Sequence, residues 1–277
     1  MPQPEQDSQN GNISETRDSE LRKQSAPYVQ RFVNALHAAC PKLTPNEVTW
    51  MGTIGVGVGS AASAMRNPES ENFSKLTALS LGINTGFTLT DMIDGTLQRT
   101  IEAENPEKTN PNGPWIDPVS DRLQELFLSL SRSVSAHKRC DTFGQFAALA
   151  TAVTSPGPSI AKTYAEKNNR LVPEIGKGIF GKVGNRVGRA VLGILATAFP
   201  KIHGIPVQPI ADIFMTSANI VTTAQRIEAA KHPSDKEISQ KTLDAAKKRQ
   251  LPLIATGVVS IAASAGLLYA LHREKQK

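Results

Sequence analysis

Four aspartates lie in two closely spaced pairs, and they are the residues with the clearest chemistry. Asp91 and Asp94 are three positions apart, and Asp117 and Asp121 are four apart. On helices, side chains at either spacing lie on one face, so two such faces turned towards each other would form a pocket of four carboxylates. Carboxylates in a buried pocket repel one another and lose hydration, so this pocket is expected to need cations.

The donor set of the predicted pocket favours two divalent ions. Carboxylate oxygens without nitrogen or sulfur ligands suit Mg²⁺ or Mn²⁺. Two such ions can clamp a pyrophosphate and stabilise the attacking and the leaving oxygen together. Nearby, Gly95 leaves room for a phosphate or nucleotide, and Arg99 offers a fork of donors to phosphate. The pattern therefore predicts metal-assisted chemistry at a pyrophosphate.

Two other interpretations of these residues are weaker. The stretch around Asp94 is similar to the nucleophile loop of haloacid-dehalogenase phosphatases, but that loop needs an aspartate two residues earlier, where Met92 stands. The aspartates could also be helix caps and solvated surface charges. That explanation suits a single pair better than four aspartates with Gly95, Arg99 and Gly113 between them.

Three long segments without Asp, Glu, Lys or Arg indicate membrane helices, although the mean hydropathy of the chain is only −0.25. They cover residues 48–65, 142–161 and 250–272, and a spanning helix needs about 17–25 mostly apolar residues. Their many small residues allow membrane helices to approach closely, and buried helices of a soluble protein are the alternative. Shorter or weaker candidates cover residues 76–90, 122–137, 186–200 and 213–225.

The distribution of basic residues predicts how these spans are oriented. With a cytoplasmic N-terminus, the inside segments 162–189 and 226–249 carry seven Lys or Arg each. The outside loops 66–75, 132–139 and 201–204 carry two, three and one. Because cytoplasmic loops of membrane proteins carry an excess of Lys and Arg, this asymmetry favours a multi-pass membrane protein.

The N-terminal region differs from the rest. Residues 1–26 are polar and are predicted to be a disordered tail. From Tyr28 to Cys40, apolar residues recur with a helical period, which predicts a short amphipathic helix that ends at Pro41. This helix is expected to pack on the core or to lie on the membrane surface. Alternation typical of strands is scarce, so the fold is predicted to be all-α.

Composition argues against two other functional classes. The net charge of +6 is compatible with nucleic acid, anionic lipid or phosphorylated substrates. Nucleic-acid-binding proteins usually show a basic stripe with interleaved aromatics or a recognisable module, whereas aromatics are 5% here and no such module is present. The two cysteines, Cys40 and Cys140, are far apart, which argues against a zinc site or a disulfide framework.

The acidic motif resembles the signature of the CDP-alcohol phosphotransferases, Asp-x-x-Asp-Gly-x-x-Ala-Arg followed by Gly-x-x-x-Asp-x-x-x-Asp. The chain matches all four aspartates, both glycines and the arginine. It departs from the signature at Gln98, where the family usually has alanine. It also has thirteen residues between Arg99 and Gly113, a longer connection than is usual. Both departures fall beside the expected nucleotide contacts.

Further segments resemble one subgroup of that family, the bacterial phosphatidylinositol phosphate synthases. Residues 43–55 are similar to the start of the family's first span, and residues 158–166 to a Ser-x-x-Lys-Ala-x-Ala-Glu stretch of the subgroup. Residues 185–189 are similar to its Glu-Arg-x-x-Arg, and residues 223–226 to the Gln-Arg at the end of its last span. The resemblance covers roughly residues 28–230.

The resemblance implies a fold and a location. The family is built from about six transmembrane helices, usually as a homodimer in the cell membrane, with a site that opens to the cytoplasm. The expected architecture is therefore an all-α polytopic membrane bundle over residues 27–230, with an N-terminal amphipathic juxtamembrane helix. Residues 231–277 would form a C-terminal extension, whose apolar helix is either a seventh span or a helix that lies against the bundle.

The resemblance also implies an activity, the transfer of a phosphatidyl group from CDP-diacylglycerol to an alcohol with release of CMP. Inositol phosphate is the acceptor that the subgroup favours. Glycerol 3-phosphate, the acceptor of phosphatidylglycerophosphate synthases, is the second candidate. A non-catalytic membrane scaffold of the same fold and a soluble helical binding protein are the alternatives outside enzymes.

By the same resemblance, each motif residue has an expected role. Two Mg²⁺ or Mn²⁺ ions would be held by Asp91, Asp94, Asp117 and Asp121. Asp121 would also be the base that takes the proton of the acceptor hydroxyl. The CDP-lipid would be bound by Asn46, Thr49, Gly95, Arg99 and Gly113. The phosphate of the acceptor would be bound by Ser159, Lys162, Arg186, Arg189 and Arg226, for which lipid-headgroup anchoring is the alternative role.

Overall fold

The structure is a computed structural model, and it describes residues 20–66, 72–105, 112–170, 186–231, 240–274 and 276. Side chains are described for all of these except residues 20–24, 91, 186, 187 and 241. Within this part of the chain every regular element is an α-helix, apart from an isolated bridge between Ile202 and Ile205. The all-α prediction is therefore confirmed.

The described residues form ten helices. They are α1 (Glu20–Ala39), α2 (Pro45–Ala64), α3 (Phe73–Thr88), α4 (Thr90–Glu104), α5 (Gly113–Lys138), α6 (Thr142–Thr154), α7 (Gly157–Lys167), α8 (Arg186–Ala198), α9 (Val207–Lys231) and α10 (Gln240–Glu274). Helix α2 packs on α3, α4 and α5, while α9 packs on α6, α7 and α8. Helix α5 links the two groups because it contacts both α2 and α6.

A capping box sets the beginning of α2. The Thr44 hydroxyl accepts a hydrogen bond from the backbone N–H of Glu47 at 3.3 Å, and the Glu47 carboxylate accepts one from the backbone N–H of Thr44 at 2.8 Å. The hydrogen bonds from Thr44 lower the pKa of the exposed Glu47 carboxyl below its usual value. Pro45 is at the first helical position, where no N–H is needed. The cap places Thr49, about one turn later, in the interior.

Glycines allow α2 and α3 to pack closely, as the many small residues suggest. A Cβ atom added at Gly55 would lie 2.1 Å from the ring of Phe87, and one at Gly59 would lie 2.5 Å from the side-chain oxygen of Asn84. In this contact the Ser80 hydroxyl donates to the carbonyl oxygen of Gly59 at 2.9 Å. A larger residue at either glycine would push the two helices apart.

Many polar side chains are buried between the helices, while many large apolar side chains are exposed. Asn84, Asp212 and Asn219 are among the most completely buried residues. The exposed apolar residues include Met51, Ile54, Phe143, Phe146, Ile210, Ile213 and Ile220. Such an arrangement is compatible with a lipid-facing surface, because polar groups in membrane proteins turn towards neighbouring helices.

One helix among the described residues has the length and composition of a membrane span. It covers Thr242–Glu274, with a mean hydropathy of 2.0 over an 18-residue window, 28% of which is buried. Leu253 and Ser260 are buried, whereas Leu251 and Val258 are exposed. The apolar segment of the C-terminal extension therefore lies in one continuous helix, α10, which packs on α5, α6 and α7. This helix is compatible with membrane association.

Two of the segments that the sequence offers as span candidates are interrupted in the structure. Within residues 142–161, α6 ends at Thr154 and α7 begins at Gly157. Two prolines just after Thr154 lack the N–H groups that would continue α6. Residues 76–90 cross the boundary between α3, which ends at Thr88, and α4. Neither segment is therefore a single continuous helix.

Helix α1 begins earlier than the sequence pattern predicts. It starts at Glu20, within the segment 1–26 that is predicted to be a disordered tail, and residues 1–19 lie outside the described residues. Val33 is fully buried in a cluster with apolar residues of α2 and α4. Tyr28, on another face, is exposed. The helix thus packs on the core along one face and leaves an aromatic residue outside.

Candidate functional site

Asp94 lies on α4 and is buried against α2. Its Oδ2 accepts a hydrogen bond from the hydroxyl of Thr49 at 2.5 Å, and its Oδ1 accepts one from the backbone N–H of Gly95 at 2.6 Å. Hydrogen bonds to a carboxylate favour its charged form and offset part of the cost of burial. Thr49, an expected nucleotide contact, therefore contacts an expected metal ligand directly.

The second aspartate pair lies on α5, which is joined to α2 one turn further along. The hydroxyl oxygens of Thr53 and Ser120 share a hydrogen bond of 2.5 Å, and Ser120 directly precedes Asp121. Asp121 is half-buried and Asp117 is exposed. Because Thr49 and Thr53 are one helical turn apart, a single face of α2 holds both α4 and α5. The two halves of the acidic motif, on α4 and α5, are thus both held against the same face of α2.

The aspartates of the site offer the donor atoms that Mg²⁺ and Mn²⁺ prefer. Asp94, Asp117 and Asp121 supply carboxylate oxygens. The side chain of Asp91, the fourth expected ligand, lies outside the described residues. Among the side chains that are described, no three acidic, histidine or cysteine groups converge as a metal-binding group. The donor chemistry fits the expected ions, but Asp94, Asp117 and Asp121, whose side chains are all described, do not converge as a metal-binding group.

Three expected nucleotide contacts lie near the beginnings of helices. Asn46 is in the first turn of α2, Gly95 is in the second turn of α4, and Gly113 is the first residue of α5. A Cβ atom added at Gly95 would meet nothing within 4 Å, so the space beside this residue is open. The opening adjoins Asp94, where the glycine is expected to make room for a phosphate or nucleotide.

Arg99 and Gln98 lie about one turn further along α4 and bond to their own helix. Arg99 is exposed and donates to the Thr96 hydroxyl at 3.1 Å. Gln98 donates to the Glu102 carboxylate at 2.6 Å. The glutamine that stands in place of the usual alanine is thus engaged within the helix, and the guanidinium group of Arg99 remains at the surface.

Arg189 belongs to a buried group of three charges. Its Nε donates to one oxygen of the Glu125 carboxylate at 2.8 Å, and the other oxygen accepts from Arg122 at 2.6 Å. Arg122 also donates to the carbonyl oxygen of Ser155, just after α6, at 2.9 Å. Two guanidinium groups, from α5 and α8, therefore share the two oxygens of one buried carboxylate.

Three other expected acceptor residues gather around the beginning of α7. Arg226, from α9, donates to a backbone carbonyl oxygen in the first turn of α7 at 2.6 Å. Lys162 Nζ lies 3.7 Å from a carboxylate oxygen of Glu166. Ser159, in the same turn, is half-buried. Ser159 and Lys162 therefore lie in the first two turns of α7, where Arg226 also makes its contact, while Arg189 of α8 pairs with Glu125 of α5.

Residues of two buried charge groups line one cavity. Its lining includes Glu125 and Arg189 as well as Arg132. Arg132, on α5, donates to Asp212 of α9 at 2.7 Å, and the two side chains are 2% and 0% exposed. The side chain of Arg186, the remaining expected acceptor residue, lies outside the described residues.

Two arginines that the sequence places in outside loops are buried in the structure. Arg132 is expected in the loop 132–139, but α5 continues to Lys138. Arg66 is expected in the loop 66–75, yet it donates to the carbonyl oxygen of Ala198 at 3.1 Å. Burial, assisted by the nearby charge of Arg139, lowers the pKa of Arg66 to about 10. Neither arginine is therefore a solvated loop charge.

Sequence analysis did not identify four residues that hold this site together, Thr53, Ser120, Arg122 and Glu125. A local signal exists for two of them, because Arg122 and Glu125 have the spacing of an ion pair within one helix. No local pattern marks Thr53 and Ser120, which are 67 positions apart in the chain.

Comparison with known proteins found no match, so the function of the chain is argued from its residues and their geometry alone. No family model matches the chain, and no curated protein or solved structure matches it either.

Proposed function

We propose that the chain is a membrane enzyme of the CDP-alcohol phosphotransferase type. It transfers a phosphatidyl group from CDP-diacylglycerol to a phosphorylated alcohol, with inositol phosphate as the favoured acceptor, and releases CMP. The observation that carries this proposal is the pair of contacts on α2, Thr49 with Asp94 and Thr53 with Ser120. These contacts hold the two halves of the acidic motif beside each other, as the proposed reaction requires.

Within this proposal, the residues divide the work between the two substrates. Asp91, Asp94, Asp117 and Asp121 would hold two Mg²⁺ or Mn²⁺ ions, which supply positive charge to the pyrophosphate. The CDP part of the lipid substrate would be bound by the expected nucleotide contacts, Asn46, Thr49, Gly95, Arg99 and Gly113. The acceptor hydroxyl oxygen bonds to the lipid-bearing phosphorus, the bond from that phosphorus to CMP breaks, and Asp121 takes the hydroxyl proton.

We propose that the helices form about six spans. They are α2, α3 together with the first residue of α4, α5, α6 together with α7, α8, and α9. The exposed apolar side chains on α2, α6 and α9 support a lipid-facing surface. The acidic motif lies near the beginnings of α4 and α5, at the end that the charge asymmetry assigns to the cytoplasm. In this arrangement α10 is an additional helix beside the six, and the family resemblance adds a homodimer.

The acceptor proposal depends on basic residues around α7, and it predicts a split effect on the two substrates. Replacing Lys162 or Arg226 with alanine is expected to raise the KM for inositol phosphate by about tenfold or more, because each loses one charge-assisted contact to phosphate. The KM for CDP-diacylglycerol should change little. Steady-state kinetics with each substrate varied in turn measures both KM values.

Lys167→Ala, which removes an exposed lysine at the end of α7, is the matched control. Equal effects on both substrates would contradict an acceptor pocket.

The proposed activity is tested by CMP release from membranes containing the expressed chain, supplied with CDP-diacylglycerol and Mg²⁺. Inositol phosphate, glycerol 3-phosphate, free inositol and serine are offered separately. Release with inositol phosphate alone supports the favoured acceptor. Release with glycerol 3-phosphate alone supports the same reaction with the second acceptor. Folded protein that releases no CMP with any of them would contradict the enzyme proposal and favour a scaffold, whose Gln98 and long connection after Arg99 disable the nucleotide site.

A further inference from the structure

Helix α10 makes a contact between charged groups near each of its own ends. Near its beginning, Arg249 donates a hydrogen bond to the carboxylate of Glu166, in the last turn of α7. In the last turn of α10, the carboxylate of Glu274 lies 3.7 Å from Nε2 of His137, in the last turn of α5. At a rise of about 1.5 Å per residue, these two contacts are about 37 Å apart along α10. That distance exceeds the hydrocarbon core of a bilayer, which is about 30 Å thick.

The direction of α5 shows which end of the bundle each contact marks. Asp121 lies near the beginning of α5, so His137 marks the end of the bundle opposite to the acidic motif. Arg122, next to Asp121, donates to the carbonyl oxygen of Ser155 at 2.9 Å, which places the break between α6 and α7 beside the motif. Since Glu274 lies against His137, the end of α10 is at the opposite end of the bundle from the motif.

The packing of α10 connects these two levels. A Cβ atom added at Gly257 would lie 3.1 Å from Cδ1 of Ile160 and 3.8 Å from Cβ of Pro156, so α10 lies closely against the break between α6 and α7. The buried residues that follow are spaced three, four and seven positions apart, and they are Ser260, Ser264 and Leu271. Such spacing places them on one face of the helix. Because α10 packs on α5, this face follows α5 from the level of the motif to its far end.

The exposed side of α10 is apolar over the same stretch. Its large exposed side chains include Leu251, Val258, Ile261 and Tyr269. Residues 250–272 contain no Asp, Glu, Lys or Arg. A helix that lies in the membrane surface has a strongly charged or polar face, which this stretch lacks. The composition of α10 therefore favours a helix that crosses the bilayer over one that lies on its surface.

Basic residues flank the apolar stretch of α10 unequally. Residues 236–249 contain five Lys or Arg, whereas residues 273–277 contain three. The larger number precedes the stretch, at the end of α10 that contacts the last turn of α7. Because an excess of Lys and Arg marks the cytoplasmic side of a span, the beginning of α10 is assigned to the same side as the acidic motif.

We propose that α10 is a seventh membrane span, and that its end lies on the side of the membrane opposite to the acidic motif. This inference rests on the six spans of the proposed function, but it does not depend on the reaction. An odd number of spans places α1 and the residues that follow α10 on opposite sides of the membrane.

Two native cysteines mark the two sides and make the topology measurable. Cys40 lies between α1 and α2, at the motif end, and Cys140 lies between α5 and α6, at the opposite end, and both are exposed. Three forms of the full chain are compared: one with Cys40 alone, one with Cys140 alone, and Gln276→Cys with both native cysteines replaced by serine. Gln276 is exposed. Intact cells are treated with a membrane-impermeant maleimide. Cys140 and the Gln276→Cys form should be labelled before permeabilisation, and Cys40 only after it.

The possible results separate this inference from the proposals on which it rests. Labelling of the Gln276→Cys form only after permeabilisation, as for Cys40, overturns the seventh span and leaves the six spans standing. Labelling of Cys40 and Cys140 from the same side overturns the six spans, and this inference with them. CMP release by the same membranes reports the proposed reaction independently, because the two cysteines and Gln276 lie outside the proposed site.

A cross-link tests the position of the end of α10 directly. In the chain with both native cysteines replaced by serine, His137→Cys combined with Glu274→Cys should be joined by a short bis-maleimide and shift the mobility of the protein on a denaturing gel. His137→Cys combined with Leu251→Cys is the matched control, because Leu251 is exposed and lies towards the other end of α10. Only the first pair should be joined. Absence of that cross-link, or equal cross-linking of both pairs, overturns the inference.

Discussion

Asp94→Asn is expected to lower the rate of CMP release by about a thousandfold or more at saturating Mg²⁺, because it removes the charge of a proposed metal ligand. Asparagine has nearly the same volume, and its side-chain oxygen can still accept the hydrogen bond that the Thr49 hydroxyl gives at 2.5 Å. The contact between α2 and α4 should therefore survive. The loss should appear in kcat and should not be restored by raising the concentration of either substrate.

The fold of this variant is checked by its helical circular dichroism and its thermal unfolding in detergent. Asp141→Asn is the matched control, because Asp141 caps α6 by accepting from the backbone N–H of Gly144 at 2.8 Å, and asparagine caps helices equally well. The control should retain full activity. Substantial turnover by folded Asp94→Asn would contradict a two-metal site at the acidic motif.

The sequence alone placed the aspartates on helices, because helical spacing is a local property. Asp91 and Asp94 lie on α4, and Asp117 and Asp121 lie on α5, as their spacing predicts. The break between α6 and α7 is also local, since the two prolines, Pro156 and Pro158, lie within four positions after Thr154. An absence of charged residues does not distinguish an unbroken span from an interrupted one, so hydropathy alone hides this break.

Pairing between distant side chains could not be predicted in this way. Arg189 has its carboxylate partner Glu125 on another helix, 64 positions earlier, and nothing near Arg189 marks that glutamate. Arg189 looks like an uncommitted cation in the sequence, whereas the structure shows it in an ion pair. A substrate phosphate at this place would therefore meet the net charge of Arg122, Glu125 and Arg189 together, not of Arg189 alone.

The same limit applies to the polar interior of the bundle. Asp212 lies in a helix whose sequence alone does not show that its carboxylate faces a guanidinium group 80 positions earlier. Such pairs lower the hydropathy of their segments and make spans look marginal. In lipid they are tolerated because each charge meets a partner inside the protein. The same buried polar side chains that pair inside the bundle therefore weaken the hydropathy signal of the helices that carry them.

Asp212→Ala is expected to be the most destabilising substitution in the helix bundle. Arg132 donates to this carboxylate from Nε at 3.0 Å and from Nη2 at 2.7 Å, and Thr151 contacts it at 3.2 Å. Removing one partner of a buried ion pair leaves the other charge uncompensated and costs about 3–5 kcal/mol. Unfolding in detergent, followed by circular dichroism during denaturant titration, measures this loss.

Two variants separate the cost of an orphaned charge from the value of the pair itself. The double substitution Arg132→Met with Asp212→Leu removes both charges, and it should recover most of the lost stability because apolar side chains of similar volume replace the pair. Asp244→Ala, which breaks an exposed pair with Lys247 at 3.8 Å, should cost about 1 kcal/mol or less. If the double variant were as unstable as Asp212→Ala, the loss would reflect packing at this site, and the buried charge of Arg132 would not be its cause.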